Sequence, residues 1–144
     1  MYTVLIADDE HIERAFLRQG LEGAGGRYRV IGEANNGQEA LALAKALRPD
    51  VALVDINMPV LNGLEVARQV KSLYPGMVVV LNSAYQEFEF AQQAISSGVN
   101  AYLIKPAGAA LILSTLDGCM GKREIALPSG ATLGFSPEGS YPYE

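Results

Sequence analysis

The chain has 144 residues, 49% of them hydrophobic and 19% charged, and carries a formal net charge of −5. That length holds one domain with a short appendage, the apolar share supports a real core, and the acidic balance argues against direct binding to nucleic acid or an anionic membrane. Cys119 is the only cysteine, so no intramolecular disulfide forms and it reads as a small apolar filler. With no basic leader and no run of about 20 apolar residues, the expected compartment is the cytoplasm.

Tyr2 to Ala7 is a short apolar run, rich in β-branched residues, that empties into Asp8-Asp9-Glu10, the pattern of a buried strand ending in an acidic loop. Ile12, Phe16, Leu17 and Leu21 then recur at helical spacing, opposite Glu13, Arg14, Arg18 and Gln19, and Gly23, Gly25 and Gly26 end that helix. Tyr28 to Glu33 reads as a second strand. Asn35-Asn36-Gly37 is a turn able to cap the helix Gln38 to Leu47, which turns Ala40, Leu41, Ala44 and Leu47 inward and closes at Pro49. Val51 to Val54 is apolar at every position, hence covered on both faces, and it stops abruptly on Asp55.

The loop Met58 to Gly63 leads into a third helix with Leu64, Val66, Ala67, Val70 and Leu73 on its apolar side. Met77 to Leu81 is a fourth strand, which Asn82-Ser83-Ala84-Tyr85 leaves. Glu87 to Ser97 is a fourth helix with Phe88, Ala91, Ala94 and Ile95 inward and Gly98 as its stop. Ala101 to Ile104 is a fifth strand ending at Lys105-Pro106, and Ala109, Ile112 and Leu116 mark a fifth helix that ends around Gly118 to Gly121. Five strand-then-helix units with right-handed crossovers make an α/β, doubly wound parallel sheet with helices on both faces. Residues 1–120 are assigned to this domain and 121–144 to a linker or tail. In that tail Arg123 to Leu127 could pair with Thr132 to Phe135 as a hairpin, marginal on its own.

In such sheets ligands sit outside the carboxyl ends of the strands. Those ends deliver Asp8 and Asp9, Asp55 with the Asn57 backbone behind it, Ser83, and Lys105. An aspartate ending an apolar strand is there for water or an ion, since packing alone would reject it. Three crowded carboxylates raise one another's pKa unless a cation neutralises them, and oxygen ligands with open water positions suit Mg²⁺. Lys105 and the Ser83 hydroxyl then supply charge and a donor for an anion, and a phosphoryl group fits because its transfer is catalysed by positioning and charge neutralisation. An unhindered aspartate beside the cation can be the nucleophile. Taken singly, Asp8-Asp9 could be a helix cap, Asp55 a loop cap, Ser83 a turn residue and Lys105 a solvated charge. His11 has no second histidine with which to share a metal.

These residues also carry a resemblance. Asp8-Asp9-Glu10, Asp55-Ile56-Asn57-Met58-Pro59 with Gly63, Ser83-Ala84, and Tyr102-Leu103-Ile104-Lys105-Pro106 stand in the order and at the spacing of the receiver domain of bacterial two-component response regulators, over about residues 2 to 118. The resemblance implies the five-stranded, flavodoxin-like sheet with strand order 2-1-3-4-5. It implies phosphorylation of Asp55 by a sensor histidine kinase, and Mg²⁺ (with Mn²⁺ as a substitute) held by Asp8, Asp9, Asp55 and the Asn57 carbonyl, Asp9 more directly than Asp8. It further implies phosphoryl binding by Ser83 and Lys105, flanked by Ala84 and Pro106, and an inward swing of Tyr102 when Ser83 moves. The stretch Ser83 to Ala91 resembles that of regulators with AraC-type helix-turn-helix output, with Ala84, Gln86 and Phe90 departing from the usual Gly, acidic residue and Tyr.

On this reading the chain is a signalling phosphoacceptor rather than an enzyme, and it meets DNA only through an output domain absent from these 144 residues. The rival is a Mg²⁺-dependent phosphatase or phosphotransferase with an aspartyl nucleophile. Such an enzyme typically has a second aspartate two residues on, where this chain has Asn57, and a cap insert, of which there is no sign. From Ser72 to Ile104 there is no Lys or Arg. A homodimer through the helix 4, strand 5 and helix 5 face would therefore use apolar or amide contacts, with Tyr85 and Phe90 as candidates, rather than salt bridges.

Overall fold

The computed structural model describes residues 1–84 and 88–129, the side chains at 88, 90, 91, 94 and 124–129 excepted. In chain order it consists of β1 (Tyr2–Ala7), α1 (His11–Glu22), β2 (Tyr28–Ala34), α2 (Gly37–Leu47), β3 (Val51–Asp55), α3 (Gly63–Leu73), β4 (Val78–Ala84), α4 (Phe88–Ser96), β5 (Ala101–Lys105) and α5 (Ala109–Ser129). The five strands form one sheet in the order β2-β1-β3-β4-β5, and every neighbouring pair is parallel.

Strand alternation divides the core in two. Leu5, Ala7, Ala52, Val54, Val79, Leu81 and Tyr102 face one side, where they pack on Ala40 and Ala44 of α2 and Leu64, Ala67 and Val70 of α3. Val4, Ile6, Val51, Leu53, Val78, Val80, Ala101 and Leu103 face the other, against Leu17 and Leu21 of α1 and Ile112, Leu116, Cys119 and Met120 of α5. Both faces of the central strands are thus covered, which is why Val51–Val54 of β3 and Val78–Leu81 of β4 are unbroken apolar runs instead of alternating.

Two helix starts show why the chain turns where it does. Asn36 Oδ1 accepts from the Glu39 N–H at 2.8 Å while Glu39 Oε1 accepts from the Asn35 N–H at 2.8 Å, a reciprocal cap for α2. Asn62 does the same for α3, accepting from the Glu65 N–H at 3.0 Å. At the far end of α3, the Lys71 ammonium donates to the Pro75 and Met77 carbonyls (3.0 and 2.8 Å) and to Asn100 Oδ1 (3.0 Å). It ties α3 to the amino ends of β4 and β5.

Several sequence expectations are corrected. Ile12 and Phe16 do not face the core; they are 81% and 45% exposed, and α1 buries only Leu17 and Leu21. Leu47 and Leu73, at the last turns of α2 and α3, are also exposed. β4 runs three residues further than its apolar stretch, through Asn82, Ser83 and Ala84.

The fifth helix does not end at Gly118 to Gly121 but continues to Ser129. A Cβ on Gly118 or Gly121 would meet nothing within 4 Å, so both glycines lie on an open side, while Cys119 and Met120 are buried against the sheet. Asp117 and Arg123 pin this half of α5: Asp117 Oδ1 accepts from the Tyr28 hydroxyl at 2.6 Å, and Arg123 pairs with Asp50 at 3.3 Å. Residues 123–127, expected as the first strand of a hairpin, lie within that helix, and 132–135 lie outside the described residues. So do Tyr85 and the Phe90 side chain, the two expected dimer contacts.

Candidate functional site

The residue two positions after Ile6, Leu53, Val80 or Leu103 on each strand points to the same face as those core residues, but at the carboxyl edge. Those positions are Asp8, Asp55, Asn82 and Lys105. One face of one sheet edge therefore collects two carboxylates, an amide and an ammonium from four strand ends. Asp9, next in the chain, is exposed, and its carboxylate still comes within 4.8 Å of those of Asp8 and Asp55.

Lys105 spans the group. Its Nζ lies 3.0 Å from Asp8 Oδ2 and 3.5 Å from Asp55 Oδ2. Asp8 is 1% exposed, and its other oxygen accepts from the Glu10 N–H at 2.9 Å. Arg14 donates to the Asp8 carbonyl at 2.7 Å and is itself held by Glu33 at 3.1 Å, so α1 and β2 brace the acidic turn. Asp55 is 6% exposed, and its Oδ1 accepts a longer bond from the Asn57 N–H at 3.3 Å.

Burial pushes the Asp55 carboxyl up to about 6; Lys105 opposes that shift and the charge of Asp8 adds to it. For Lys105 burial alone would lower the ammonium, yet Asp55 and Asp8 outweigh it and hold its pKa above the ordinary lysine value. Three carboxylates whose oxygens lie within 4.8 Å of one another could hold a hard, oxygen-seeking cation, and the all-oxygen donor set fits Mg²⁺.

The loop behind Asp55 is clamped from both sides. The Gly63 N–H donates to the Ile56 carbonyl at 2.8 Å, and the Gly37 N–H donates to the Pro59 carbonyl at 3.3 Å. Both glycines are required by contact: a Cβ on Gly37 would stand 1.7 Å from the Leu61 carbonyl oxygen, and one on Gly63 would stand 2.3 Å from that of Asp55. Between the clamps Val60 adopts φ 72 and is 73% exposed, a strained conformation for a β-branched residue.

Ser83 and Tyr102 belong to the opposite face. Ser83 follows Leu81 by two positions, and Leu81 is the register partner of Tyr102. Ser83 is fully buried with its hydroxyl 3.4 Å from the Ala84 carbonyl, and Tyr102 is 2% exposed, its ring already packed inward. Ala84 ends β4, and Pro106, exposed, follows Lys105 through a cis peptide bond. The structure thus joins Asp8, Asp9, Asp55, Asn57 and Lys105 directly and sets Ser83 and Tyr102 behind them. Asn82 escaped the sequence reading, which took it as the start of a loop; its parity with Asp55 along the paired strands was the available signal.

The fold is a doubly wound parallel sheet whose carboxyl edge bears an acidic pocket and a bridging lysine. Residues 4–117 match the family described as the response regulator receiver domain, and the chain belongs to that family. Among its relatives, the transcriptional regulatory protein YesN of Bacillus subtilis is 34% identical over 117 residues, which cover 81% of this chain and 32% of YesN. The chemotaxis protein CheY of Thermotoga maritima is 32% identical over 114 residues, covering 79% of this chain and 93% of CheY. The solved receiver domain of the response regulator AraT from Geobacillus stearothermophilus superposes with a TM-score of 0.79 at 35% identity, over 85% of this chain and 95% of that one. The chain spans about a third of YesN and 59% of the transcriptional regulatory protein YdfI of Bacillus subtilis. Among the described residues no helix is long and apolar enough to cross a membrane.

Proposed function

We propose that this domain is a phosphorylation switch in which Asp55 accepts a phosphoryl group from a sensor histidine kinase. The observation that carries this reading is the convergence of Asp8, Asp9 and Asp55 within 4.8 Å, bridged by Lys105. Asp8, Asp9, Asp55 and the Asn57 carbonyl would hold Mg²⁺, which when bound neutralises carboxylate and phosphoryl charge. An Asp55 oxygen attacks phosphorus in line; the bond from phosphorus to the donor's imidazole nitrogen breaks and its electron pair leaves with the imidazole. Lys105 moves from the carboxylates onto phosphoryl oxygens and stabilises the charge spread over them. Ser83 is drawn to the phosphoryl group, and the ring of Tyr102, already buried rather than swinging in from outside, repacks behind it, a local charge event that biases a two-state surface around α4.

The output is transcriptional, through a domain outside these residues; the likeness of Ser83 to Ala91 to regulators with AraC-type output and the resemblance to YesN support it. Activation favours a homodimer on the α4, β5 and α5 face, where Ile104 and Leu111 are 47% and 50% exposed. Incubation with acetyl phosphate and Mg²⁺ tests the reading. One phosphoryl group per chain, lost in Asp55→Asn, is the expected result. Turnover of a small phosphoester far beyond one equivalent would instead favour the phosphatase.

A further inference from the structure

Asn82 is a buried polar residue at the end of an apolar strand, directly beside Asp55. The register pairs Asp55 with Asn82 and Asn82 with Leu103, and the parity of the core puts the Asn82 side chain on the face of Asp8, Asp55 and Lys105. Asn82 is 3% exposed, and its Oδ1 is buried with no hydrogen-bond partner among the described residues. Lys105 ends β5 yet its ammonium reaches Asp55 on β3 and Asp8 just past the end of β1, so its stem crosses β4 on the Asn82 side. An amide oxygen left bare under a lysine that already has two carboxylates is a cost in this arrangement and an opportunity in another.

We propose that Asn82 is a positioning residue for Lys105, accepting a hydrogen bond from its ammonium once Lys105 is drawn off Asp8. This inference rests on the reading of Asp55 as the phosphoacceptor. The ammonium has three N–H donors; one is used by Asp8 at 3.0 Å, and Asp55 holds it through a longer ion pair at 3.5 Å. When a cation engages Asp8 and a phosphoryl group is on Asp55, both of those acceptors are taken. Lys105 then has phosphoryl oxygens above it and Asn82 Oδ1 beside it. The amide that is unmatched while Lys105 sits on Asp8 becomes matched in the phosphorylated arrangement. Asn82 thereby biases Lys105 toward the phosphoryl group, and an apolar residue at this position could fill the space but could not hold the lysine.

The test separates stability from function. Asn82→Leu continues the apolar run of β4 and removes the bare acceptor, so it is expected to melt at or above the wild-type temperature. Its phosphorylation by acetyl phosphate is expected to slow by about tenfold, the loss of one positioning contact in the transition state. Asn82→Ala, which removes the amide without adding bulk beside Asp55, should slow it as well. The direct readout is the ¹⁵Nζ resonance of Lys105 with Mg²⁺ and beryllofluoride: a shifted, slowly exchanging ammonium in the wild type, and an unshifted or exchange-broadened one in both variants. Wild-type rates with an unchanged Lys105 resonance in both variants would overturn the proposal. An unlabelled wild type would instead bring down the phosphoacceptor reading on which it stands.

Discussion

Gly63 is where one methyl group should do the most damage. It opens α3 directly behind Asp55, and a Cβ there would lie 2.3 Å from the Asp55 carbonyl oxygen, 2.7 Å from Ile56 Cα and 2.8 Å from the Asp55 carbonyl carbon. All three are backbone atoms, so no side chain can rotate away. Ordinary contact begins at 3.4 Å, and relieving the overlap requires Asp55 or α3 to yield by about 1 Å. Overpacking of this kind costs about 1–3 kcal/mol of stability. A displacement of about 1 Å at a reacting group is worth about a hundredfold in rate. Gly63→Ala is therefore expected to lower the urea midpoint and to slow phosphorylation by acetyl phosphate far more than the stability loss explains. Gly76→Ala, where a Cβ meets nothing within 4 Å, is the control and should change neither. A Gly63→Ala protein with wild-type midpoint and rate would refute the claim that Asp55 is set by the close approach of α3.

Asp50 and Cys119 offer two further checks. Burial would raise the Asp50 carboxyl, but the Thr3 amide at 2.8 Å, the Thr3 hydroxyl at 3.1 Å and Arg123 outweigh it and hold its pKa below the ordinary value. Its stabilisation is therefore present above the unfolded carboxylate's pKa and is lost as pH falls through the folded one. Asp50→Asn should destabilise the protein by about 1–2 kcal/mol at neutral pH, and the gap should close in acid; urea titrations at several pH values measure it, and a gap that widens in acid would contradict the sign. Burial pushes the Cys119 thiol up to about 11, so iodoacetamide should leave it unmodified near pH 8 until urea unfolds the domain. Rapid labelling of the folded protein would show that the end of α5 opens.

The sheet was legible because its central strands are buried on both faces and so read as unbroken apolar runs, Val51 to Val54 most plainly. The charged edge was legible because three of the runs stop on a charge: Asp8, Asp55 and Lys105. Legibility failed where one pattern satisfies two geometries. Ile12 and Phe16 keep helical spacing with Leu17 and Leu21, yet only the second pair is buried against the sheet, and periodicity does not say which part of an apolar stripe is left in water. Gly118 and Gly121 looked like stops because glycine weakens helices. Their neighbours Cys119 and Met120 pack on the sheet and carry α5 past them. Asn82 looked like the start of a loop because it is polar. Only the pairing of β3 with β4 reveals that it is a strand residue shoulder to shoulder with Asp55.

The central claim is that Asp55 carries the phosphoryl group, and the most direct measurement is chemical trapping of the acyl phosphate. The protein is treated with acetyl phosphate and Mg²⁺, reduced with borohydride, digested and mapped by mass spectrometry. Reduction converts a phosphorylated aspartate to homoserine, and the change is expected at position 55 alone, in the presence of the divalent ion and not in its absence. Homoserine at position 8 or 9, or a protein left unmodified at Asp55 in the presence of both acetyl phosphate and Mg²⁺, would contradict it.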